Sequence, residues 1–448
     1  MEDRAKALSL RNDKRNWLMT TEELYKKALD LHRRYRGKIQ VVSKVPFKEY
    51  GDLAIYYTPG VAAVSGQVHK DKDSVFEYTN RGNMVAVVSD GTRVLGLGDI
   101  GPEAAMPVME GKALLFKLFG GVDAVALCLK TKDPERLADI VEALEPSFGG
   151  INLEDVEKPK CFQITDRLQQ SLEIPYWHDD HHGTGLVVLA GVINALKVVG
   201  KRPGDVRVTV GGAGAGGMAI LRFLIMGGVK GENILALNTG GIIYEGRKEG
   251  MNRWTEEIAR QTNPKRKMGG LNEALEGADV FITATRPGPW IKREAISRMA
   301  KDAIVFSLAN PIPEISPEEA KAGGARIVAS GRSDYPNQIN NVLGFPGVFR
   351  GALDVRARKI NVQMMLAAAY TIAKLAEERG LDENSIVPKA TDPEVGPKVA
   401  SAVAKAAMES GAARLSIPVE EVERNARQLI IQHQRIMESM FTAAPVAS

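Results

Sequence analysis

The chain has 448 residues, of which 44% are hydrophobic and 25% are charged, and its formal net charge at neutral pH is +4. This balance excludes a disordered or fibrous protein and predicts a globular chain of about two domains. Acidic and basic residues are mixed, and no basic run is interleaved with aromatic residues, which argues against a nucleic-acid partner.

Three features predict a cytoplasmic protein with no membrane partner. Residues 1–17 are charged throughout and lack the apolar core of a secretory signal. The longest apolar stretch, Leu186–Leu196, is far shorter than the roughly 20 residues that span a bilayer. Cys128 and Cys161 lie in apolar or strand-like segments, which predicts buried free thiols in a reducing compartment.

The first part of the chain predicts helices alternating with strands. Residues 21–36 open with a Thr and Glu pattern and then show apolar residues at helical spacing, which predicts a helix. Pro59 and Gly60 force a turn directly after two tyrosines. Further along, a strand with a turn, a loop–helix–strand run and a helix are predicted at residues 84–91, 93–129 and 134–144.

Two acidic pairs follow apolar strand ends in the segment 149–184. Glu154-Asp155 comes after a glycine-marked strand, and Asp179-Asp180 lies among three histidines, His178, His181 and His182. Three carboxylates gathered from two strand ends make an oxygen-rich pocket suited to Mg²⁺ or Mn²⁺. Imidazole suits Zn²⁺ or Fe²⁺, but three histidines within five residues cannot all face one ion from a single loop. Packing or supporting roles are therefore favoured for them.

The second part of the chain alternates strand and helix and then becomes helical. A helix at Gly185–Val199 precedes a helix at 213–228 and strands at 207–212, 233–238, 279–285, 303–310 and 326–330. This alternation is typical of a doubly wound parallel sheet. After Arg350 we predict helices only, including long ones near 352–379 and 418–440, which we expect to fold back onto the N-terminal domain.

A glycine-rich turn joins the first strand of this sheet to its helix. The residues of the turn, Gly212, Ala213, Gly214, Ala215, Gly216 and Gly217, satisfy the G-x-G-x-x-G pattern. The first glycine allows the tight turn, the second lets the backbone approach a pyrophosphate, and the third lets the helix pack on the strand. The helix N-terminus then offers free N–H groups to the phosphates. We therefore predict a dinucleotide cofactor.

The next strand ends at Asn238, about 20 residues beyond the turn, where an acidic residue would bond the ribose of NAD. An amide lacks the strong carboxylate bond to a 2′-hydroxyl, and it does not repel a 2′-phosphate. The choice between NAD and NADP is therefore open. Arg247 and Lys248 are candidate partners for a 2′-phosphate, although ordinary surface charges are the alternative interpretation.

Seven segments together resemble one family, the malic enzymes of the short prokaryotic type. They are YTPGVA (57–62), GLGDIG (96–101), MEGKALLFK (109–117), GGINLED (149–155), HDDHHGT (178–184), NPIPEI (310–315) and NQINNVLGFPGVFRGALDVRA (337–357). The resemblance implies oxidation of (S)-malate by NAD or NADP, coupled to decarboxylation to pyruvate and CO₂, with Mg²⁺ or Mn²⁺. It implies an N-terminal catalytic and metal domain at 1–185, a Rossmann-type domain at 186–345 and a C-terminal helical segment at 346–448. A homodimer or higher homo-oligomer acting on a small molecule is expected.

The resemblance also implies roles for individual residues. The metal ligands would be Glu154, Asp155 and Asp180. Lys112, which follows Gly111 near the predicted start of its helix, would be the general base, with Lys117 as the fallback. Tyr57 would be the general acid, Arg93 would hold the malate carboxylate, and Asn310 and Asn341 would reach the substrate and the nicotinamide end of the cofactor.

These roles fit the chemistry, because a lysine acts as a base only when its pKa is lowered, and burial and a nearby cation both lower it. This chain departs from the family's HDDQHGT motif at His181, and Gly185 stands where an Ala usually follows.

Three alternative functions remain. Some family members turn malate into lactate without net redox change. An amino-acid dehydrogenase shares the two-domain plan but needs no metal. A dinucleotide sensor without catalytic activity would have lost catalytic residues.

Overall fold

The computed structural model describes residues 20–442, so the charged segment 1–17 lies outside the described residues. The described residues fall into two compact units, 20–42 and 43–442. In the first unit, helix α1 spans Thr21–Tyr35, and Thr20 caps it. The Thr20 hydroxyl accepts a hydrogen bond from Glu23 N at 3.2 Å, while Thr20 N donates to the Glu23 carboxylate at 2.8 Å. This capping box confirms the helix that the sequence predicts.

The second unit begins with a four-stranded parallel sheet in the order β2-β1-β3-β4. Its strands are β1 (Met84–Ser89), β2 (Asp123–Cys128), β3 (Gly150–Leu153) and β4 (Tyr176–His178). The helices of this part are α2 (Asp52–Tyr56), α3 (Val61–Lys70), α4 (Val75–Tyr78), α5 (Pro102–Gly120), α6 (Pro134–Leu144) and α7 (Lys160–Ser171). Leu153 pairs with Val88 on one side and His178 on the other. The acidic pairs that follow β3 and β4 therefore emerge at the same edge of the sheet.

A buried helix connects the two sheets. Asp179–Gly183 forms one turn of π-helix that runs directly into α8 (Thr184–Val199). By length and composition alone the combined helix could cross a membrane, but 72% of its most apolar window is buried inside the protein, as in the core helix of a globular fold. It packs between α9 (Ala215–Met226) and α15 (Val362–Glu378).

The second sheet has the order β10-β9-β8-β5-β6-β7, and only β7 is antiparallel to its neighbour. Its strands are β5 (Val208–Gly211), β6 (Ile234–Asn238), β7 (Gly241–Ile242), β8 (Val280–Thr283), β9 (Ala303–Ser307) and β10 (Ala325–Ser330). Besides α9, its helices are α10 (Arg253–Gln261), α11 (Leu271–Leu275), α12 (Arg293–Ile296) and α13 (Pro317–Ala322). The predicted doubly wound sheet is confirmed. Since the strand order reverses direction at β5, its carboxyl end is the usual position for a nucleotide.

The C-terminal part is helical, as predicted, but the single long helix near 352–379 is wrong. The chain forms α14 (Phe345–Asp354), then α15, then α16 (Val395–Glu409) and α17 (Val419–Thr442). Between α14 and α15, Arg356 has a positive φ of 48°, and Arg358 N donates to Ala412 O at 2.8 Å. The backbone turn at Arg356 and the hydrogen bond of Arg358 end α14 and separate it from α15.

The C-terminal helices return to the first sheet, which confirms the predicted fold-back. The Phe116 ring on α5 lies edge-on to Phe345 and Phe349 of α14, with centroid distances of 4.7 and 5.1 Å. All three rings are fully buried. Helix α17 also reaches this region, because the Gly121 backbone lies against Leu429. Three buried phenylalanines of this size contribute several kcal/mol of hydrophobic free energy, at about 1.5–3 kcal/mol each.

Candidate functional site

Three carboxylates converge beyond the carboxyl ends of β3 and β4. One oxygen atom from each of Glu154, Asp155 and Asp180 lies within 4.8 Å of the others. Glu154 N continues the sheet by donating to Val88 O at 2.8 Å. Asp155 adopts a positive φ of 53°, and its N–H donates to Asp180 Oδ2 at 3.0 Å. This local geometry turns two consecutive acidic residues toward a third from the neighbouring strand.

The electrostatics of this carboxylate cluster favour a bound cation. Burial and the nearby aspartates raise the pKa of Glu154 well above its ordinary value. Burial and the Asp180 carboxylate raise the pKa of Asp155 to about 8. One Asp155 oxygen, Oδ2, is buried and has no hydrogen-bond partner among the described residues. Crowded oxygens with an unsatisfied buried acceptor suit a hard divalent ion such as Mg²⁺ or Mn²⁺.

Lys112 lies at the border of this cluster. Its Nζ is 3.1 Å from Glu154 Oε1 and 2.6 Å from Asp179 Oδ2, and 4.3 Å from the Phe345 ring centroid. Lys112 is in the middle of α5, which begins at Pro102, rather than near the helix start as the sequence suggested. Burial disfavours its charge, but the attraction of Asp179 and Glu154 outweighs burial and raises its pKa. The lowered pKa that a base needs therefore requires a further positive charge at the cluster.

The fallback base, Lys117, is occupied elsewhere. Its Nζ pairs with Asp123 Oδ1 at 2.7 Å, and Asp123 is the first residue of β2. The carboxylate cluster follows the opposite, carboxyl ends of the parallel strands. The geometry therefore favours Lys112 over Lys117 as the residue that meets the cluster.

Asp179 connects Lys112 to Asn341. The buried Asp179 carboxylate accepts hydrogen bonds from Trp177 Nε1 at 2.8 Å and from Asn341 Nδ2 at 2.9 Å, in addition to the Lys112 contact. Sequence reasoning gave Asp179 no role, because its partner Lys112 is 67 residues away. The available signal was the acidic pair itself, since two adjacent side chains of a helical turn point in different directions and cannot both face the same ion.

The histidines support this region, and burial lowers the pKa values of His181 and His182. His178 Nε2 lies 3.7 Å from Asp180 Oδ2. His182 Nδ1 accepts from His178 N at 3.1 Å. Both ring nitrogens of His181 are buried without a partner among the described residues, and its ring packs on His182 at 4.8 Å. His181 and His182 therefore pack against each other beside the carboxylate cluster.

Arg93 and Asn310 lie on loops that meet near the cluster. Arg93 N donates to Asp155 O at 3.0 Å, and its exposed guanidinium donates to Leu95 O at 2.9 Å. Asn310 follows β9, and a Cβ on Gly96 would lie 3.0 Å from the Asn310 carbonyl oxygen. The loop after β1 therefore reaches the carboxyl edge of the second sheet. Both side chains are exposed and available to a ligand.

The glycine turn has the geometry of a dinucleotide loop. Gly212 has a φ of 106°, which favours glycine, and its N–H donates to Leu237 O at 2.9 Å. A Cβ on Gly217 would lie 1.8 Å from the Gly212 carbonyl oxygen, so only glycine allows α9 to start this close to β5. Strand β6 ends at Asn238 beside this turn, where the sequence predicts the ribose contact.

Two long segments of the chain match models of known protein domains. A model of the malic enzyme N-terminal domain matches residues 36–169, and a model of the malic enzyme NAD-binding domain matches residues 182–408. This chain belongs to the malic enzyme family.

Individual relatives support the assignment to malic enzymes. The chain is 50% identical to the bifunctional malic/malolactic enzyme of Bacillus subtilis, over 91% of this chain and 99% of that one. It is 52% identical to the NAD-dependent malic enzyme of Geobacillus stearothermophilus, over 86% and 79%. Relatives named NADP-dependent malic enzyme match at 44% identity. The crystal structure of malic enzyme from Pyrococcus horikoshii superposes with a TM-score of 0.89 at 50% identity, over 93% of this chain and 98% of that one.

One departure from the malic enzyme motif has a structural explanation. Gly185 stands where the family usually has Ala. A Cβ at this position would lie 2.4 Å from Cδ2 of Phe223 on α9. Gly185 therefore accommodates the Phe223 ring, and the departure preserves the packing of α8 against α9.

Tyr57, the tyrosine of the malic enzyme YTPGVA motif, lies on the surface of the single chain. It follows α2, its side chain is 70% exposed, and none of the described hydrogen bonds involves its phenol. The structure therefore does not bring Tyr57 into contact with Lys112, unlike Glu154 and Asp179.

Proposed function

We propose that this chain catalyses the metal-dependent oxidative decarboxylation of (S)-malate to pyruvate and CO₂ with reduction of NAD or NADP. The observation that carries the proposal is Lys112, held 3.1 Å from Glu154 in a cluster of three carboxylates. Lys112, Glu154 and Asp155 lie within the region that matches the malic enzyme N-terminal domain, and Asp180 lies between the two matched regions.

Glu154, Asp155 and Asp180 are proposed to hold Mg²⁺ or Mn²⁺. The unpartnered Asp155 oxygen and the two raised pKa values support this ligand set. When bound, such an ion polarises the oxygen atoms of a hydroxy acid and stabilises the enolate that follows loss of CO₂. His178, 3.7 Å from Asp180, orients that ligand in this arrangement.

Lys112 is proposed to accept the proton of the C2 hydroxyl. Asp179 and Glu154 now favour its ammonium form. When Glu154 binds the metal, its carboxylate no longer raises the pKa of Lys112 in the same way. Burial, which lowers this pKa, then has a larger effect. Asp179 then fixes the direction of the amine, because Trp177 and Asn341 hold its carboxylate in place.

The remaining roles concern the substrate and the cofactor. Arg93 is proposed to hold a malate carboxylate, and Asn310 and Asn341 to contact the substrate and the nicotinamide end of the cofactor. The dinucleotide is proposed to bind along Gly212–Gly217, with Asn238 at the adenosine ribose. When bound, the nicotinamide ring accepts the hydride that leaves C2. Tyr57 is proposed to protonate C3 after decarboxylation.

We propose a homodimer or higher homo-oligomer, because apolar side chains near Tyr57 are uncovered in the single chain. Tyr50 is 85% exposed, Tyr57 70%, Ile55 66% and Phe47 62%. Several large apolar side chains exposed within one short segment are typical of a protein interface. Sedimentation of the wild type as a dimer or larger species, and of Ile55→Asp as a smaller one, is the expected result. A monomeric, active wild type would remove this part of the proposal.

The domain limits 1–185, 186–345 and 346–448 are proposed from the positions of the two sheets. Strands β1–β4 lie before residue 185 and β5–β10 between 186 and 345, with helices α15–α17 afterwards.

We also propose a cytoplasmic location. Cys128 and Cys161 are both free thiols, Cys161 buried and Cys128 half-buried, and free thiols are typical of a reducing compartment.

The proposal is tested by assaying the purified chain with (S)-malate, each cofactor in turn, and Mn²⁺ or a chelator. Absorbance of the reduced nicotinamide should appear with Mn²⁺, disappear with chelator, and match pyruvate in amount. Binding of reduced cofactor without turnover would instead support a dinucleotide sensor.

A second candidate function is conversion of malate to lactate, because the Bacillus subtilis relative is named a bifunctional malic/malolactic enzyme. Lactate produced without accumulation of reduced cofactor would support it. Pyruvate as the sole product would exclude it.

A further inference from the structure

Lys158 lies over the glycine turn, although it belongs to the segment that carries Glu154 and Asp155. A Cβ on Gly214 would lie 3.8 Å from Lys158 Nζ and 3.9 Å from its Cδ. Gly214 is the second glycine of the G-x-G-x-x-G pattern, where the backbone approaches a pyrophosphate. An ammonium group from the first sheet's edge therefore stands next to the phosphate-binding backbone of the second.

The segment bearing Lys158 is anchored on both sides. Before it, Asp155 N bonds Asp180, and Glu157 N donates to Thr92 Oγ1 at 3.0 Å. After it, Lys160 Nζ is 2.6 Å from Asp90 Oδ2, and both of these side chains are buried. These contacts fix the backbone on both sides of Lys158, so the fold places this residue beside the glycine turn.

Lys158 has no acidic partner among residues 20–442. No salt bridge or hydrogen bond of its ammonium is found there, and the neighbouring Glu157 pairs with Lys160 at 3.3 Å. Lys158 is exposed, while the turn beneath it contains only glycine and alanine. The site thus has an uncompensated positive charge beside backbone N–H groups, and the diphosphate of a dinucleotide carries two negative charges.

We propose that Lys158 is a cofactor-binding residue whose ammonium group binds the diphosphate of the dinucleotide held by Gly212–Gly217. The inference rests on the proposed function, since it assumes that the glycine turn binds NAD or NADP. It adds that the segment carrying two proposed metal ligands also contacts the cofactor. A dinucleotide bound in this way contacts the edges of both sheets.

The test measures dissociation constants of NADH and ADP-ribose, by fluorescence and by calorimetry, for four proteins. These are the wild type, Lys158→Ala, Lys158→Arg and the control Lys405→Ala, which removes an exposed lysine of α16. Because a charge-assisted contact is lost, Lys158→Ala should weaken both ligands about tenfold. Lys158→Arg should restore most of the affinity, and Lys405→Ala should leave it unchanged.

The salt dependence of ADP-ribose affinity distinguishes loss of the Lys158 charge from a change in the shape of the loop. The affinity of the wild type for ADP-ribose should fall more steeply with ionic strength than that of Lys158→Ala. Equal affinities for wild type and Lys158→Ala, or equal losses in the Ala and Arg variants, would overturn the role of Lys158. Failure of the wild type to bind either ligand would instead refute the proposed function itself.

Discussion

Arg247 donates a hydrogen bond from Nη2 to Oδ1 of Asn238 over 2.9 Å, at the end of strand β6. Its Nη1 also donates to the carbonyl oxygens of Gly241 and Ile242, both at 3.1 Å. Within residues 20–442 no carboxylate forms a salt bridge with Arg247. A fixed, uncompensated guanidinium therefore stands next to the proposed ribose position, where it attracts a 2′-phosphate.

The first prediction concerns cofactor choice. Asn238→Asp places a carboxylate beside Arg247, where it neutralises the guanidinium, repels a 2′-phosphate and accepts a bond from a 2′-hydroxyl. The ratio of kcat/KM for NADP to that for NAD should fall at least about tenfold, since a like-charge contact costs several kcal/mol. Arg247→Gln should raise the KM for NADP and leave that for NAD nearly unchanged. Lys248→Gln is the matched control, and a larger effect there would assign 2′ recognition to Lys248.

The second prediction separates the two candidate bases on α5. Lys112→Ala should lower kcat for malate oxidation by about 10²–10⁴-fold, the usual contribution of a general base. Its NADH dissociation constant should stay near the wild-type value. Lys117→Ala should retain most of the activity, because Lys117 is paired with Asp123. The reverse order of effects in the two variants would move the base to Lys117.

The third prediction concerns the metal ligands. Asp180→Asn removes the charge of the carboxylate that lies between Asp155 N and His178. Loss of a residue that only supports a metal ligand typically lowers metal affinity by about 10–100-fold, so loss of a ligand should lower Mn²⁺ affinity at least as much. The electron paramagnetic resonance signal of free Mn²⁺ measures this affinity. Asp205→Asn, which alters an exposed pair with Arg202, should bind Mn²⁺ normally. Undiminished Mn²⁺ binding by Asp180→Asn would remove Asp180 from the ligand set.

The fourth prediction concerns the buried pair that anchors the segment after Asp155. Lys160→Met leaves the buried Asp90 carboxylate without its cation and should lower the free energy of unfolding by about 3 kcal/mol. Lys132→Met, which breaks an exposed pair with Asp99, should cost less than about 1 kcal/mol. Urea unfolding midpoints of the two variants compare these costs. A Lys160→Met midpoint as high as that of Lys132→Met would show that the pair contributes little.

The parts of the fold that could be predicted are those encoded locally. The glycine turn has its pattern within six consecutive residues, and a strand and a helix flank it in the sequence. Glu154 and Asp155 could be located because parallel strands end at a common edge, which brings them near Asp180. The capping box of Thr20 and Glu23 is likewise a signal confined to four residues.

The parts that could not be predicted depend on contacts between distant segments. Asp179 binds Lys112 across 67 residues. Lys160 binds Asp90 although helices α5 and α6 and strands β2 and β3 lie between them in the chain. The break after α14 lacks Gly and Pro, and tertiary bonds such as Arg358 N to Ala412 O override the helical preference of its residues. The Asn361 side chain, which caps α15 by accepting from Met364 N at 3.0 Å, was the one local signal of a new helix.

The proposed function depends on one divalent cation held by Glu154, Asp155 and Asp180 beside Lys112. The most direct measurement is an anomalous difference map from crystals grown with Mn²⁺ and malate. We expect one strong peak bounded by oxygen atoms of all three side chains, within reach of the Lys112 amine and the bound acid. A peak elsewhere, or a bound acid with no manganese among these three residues, would contradict it.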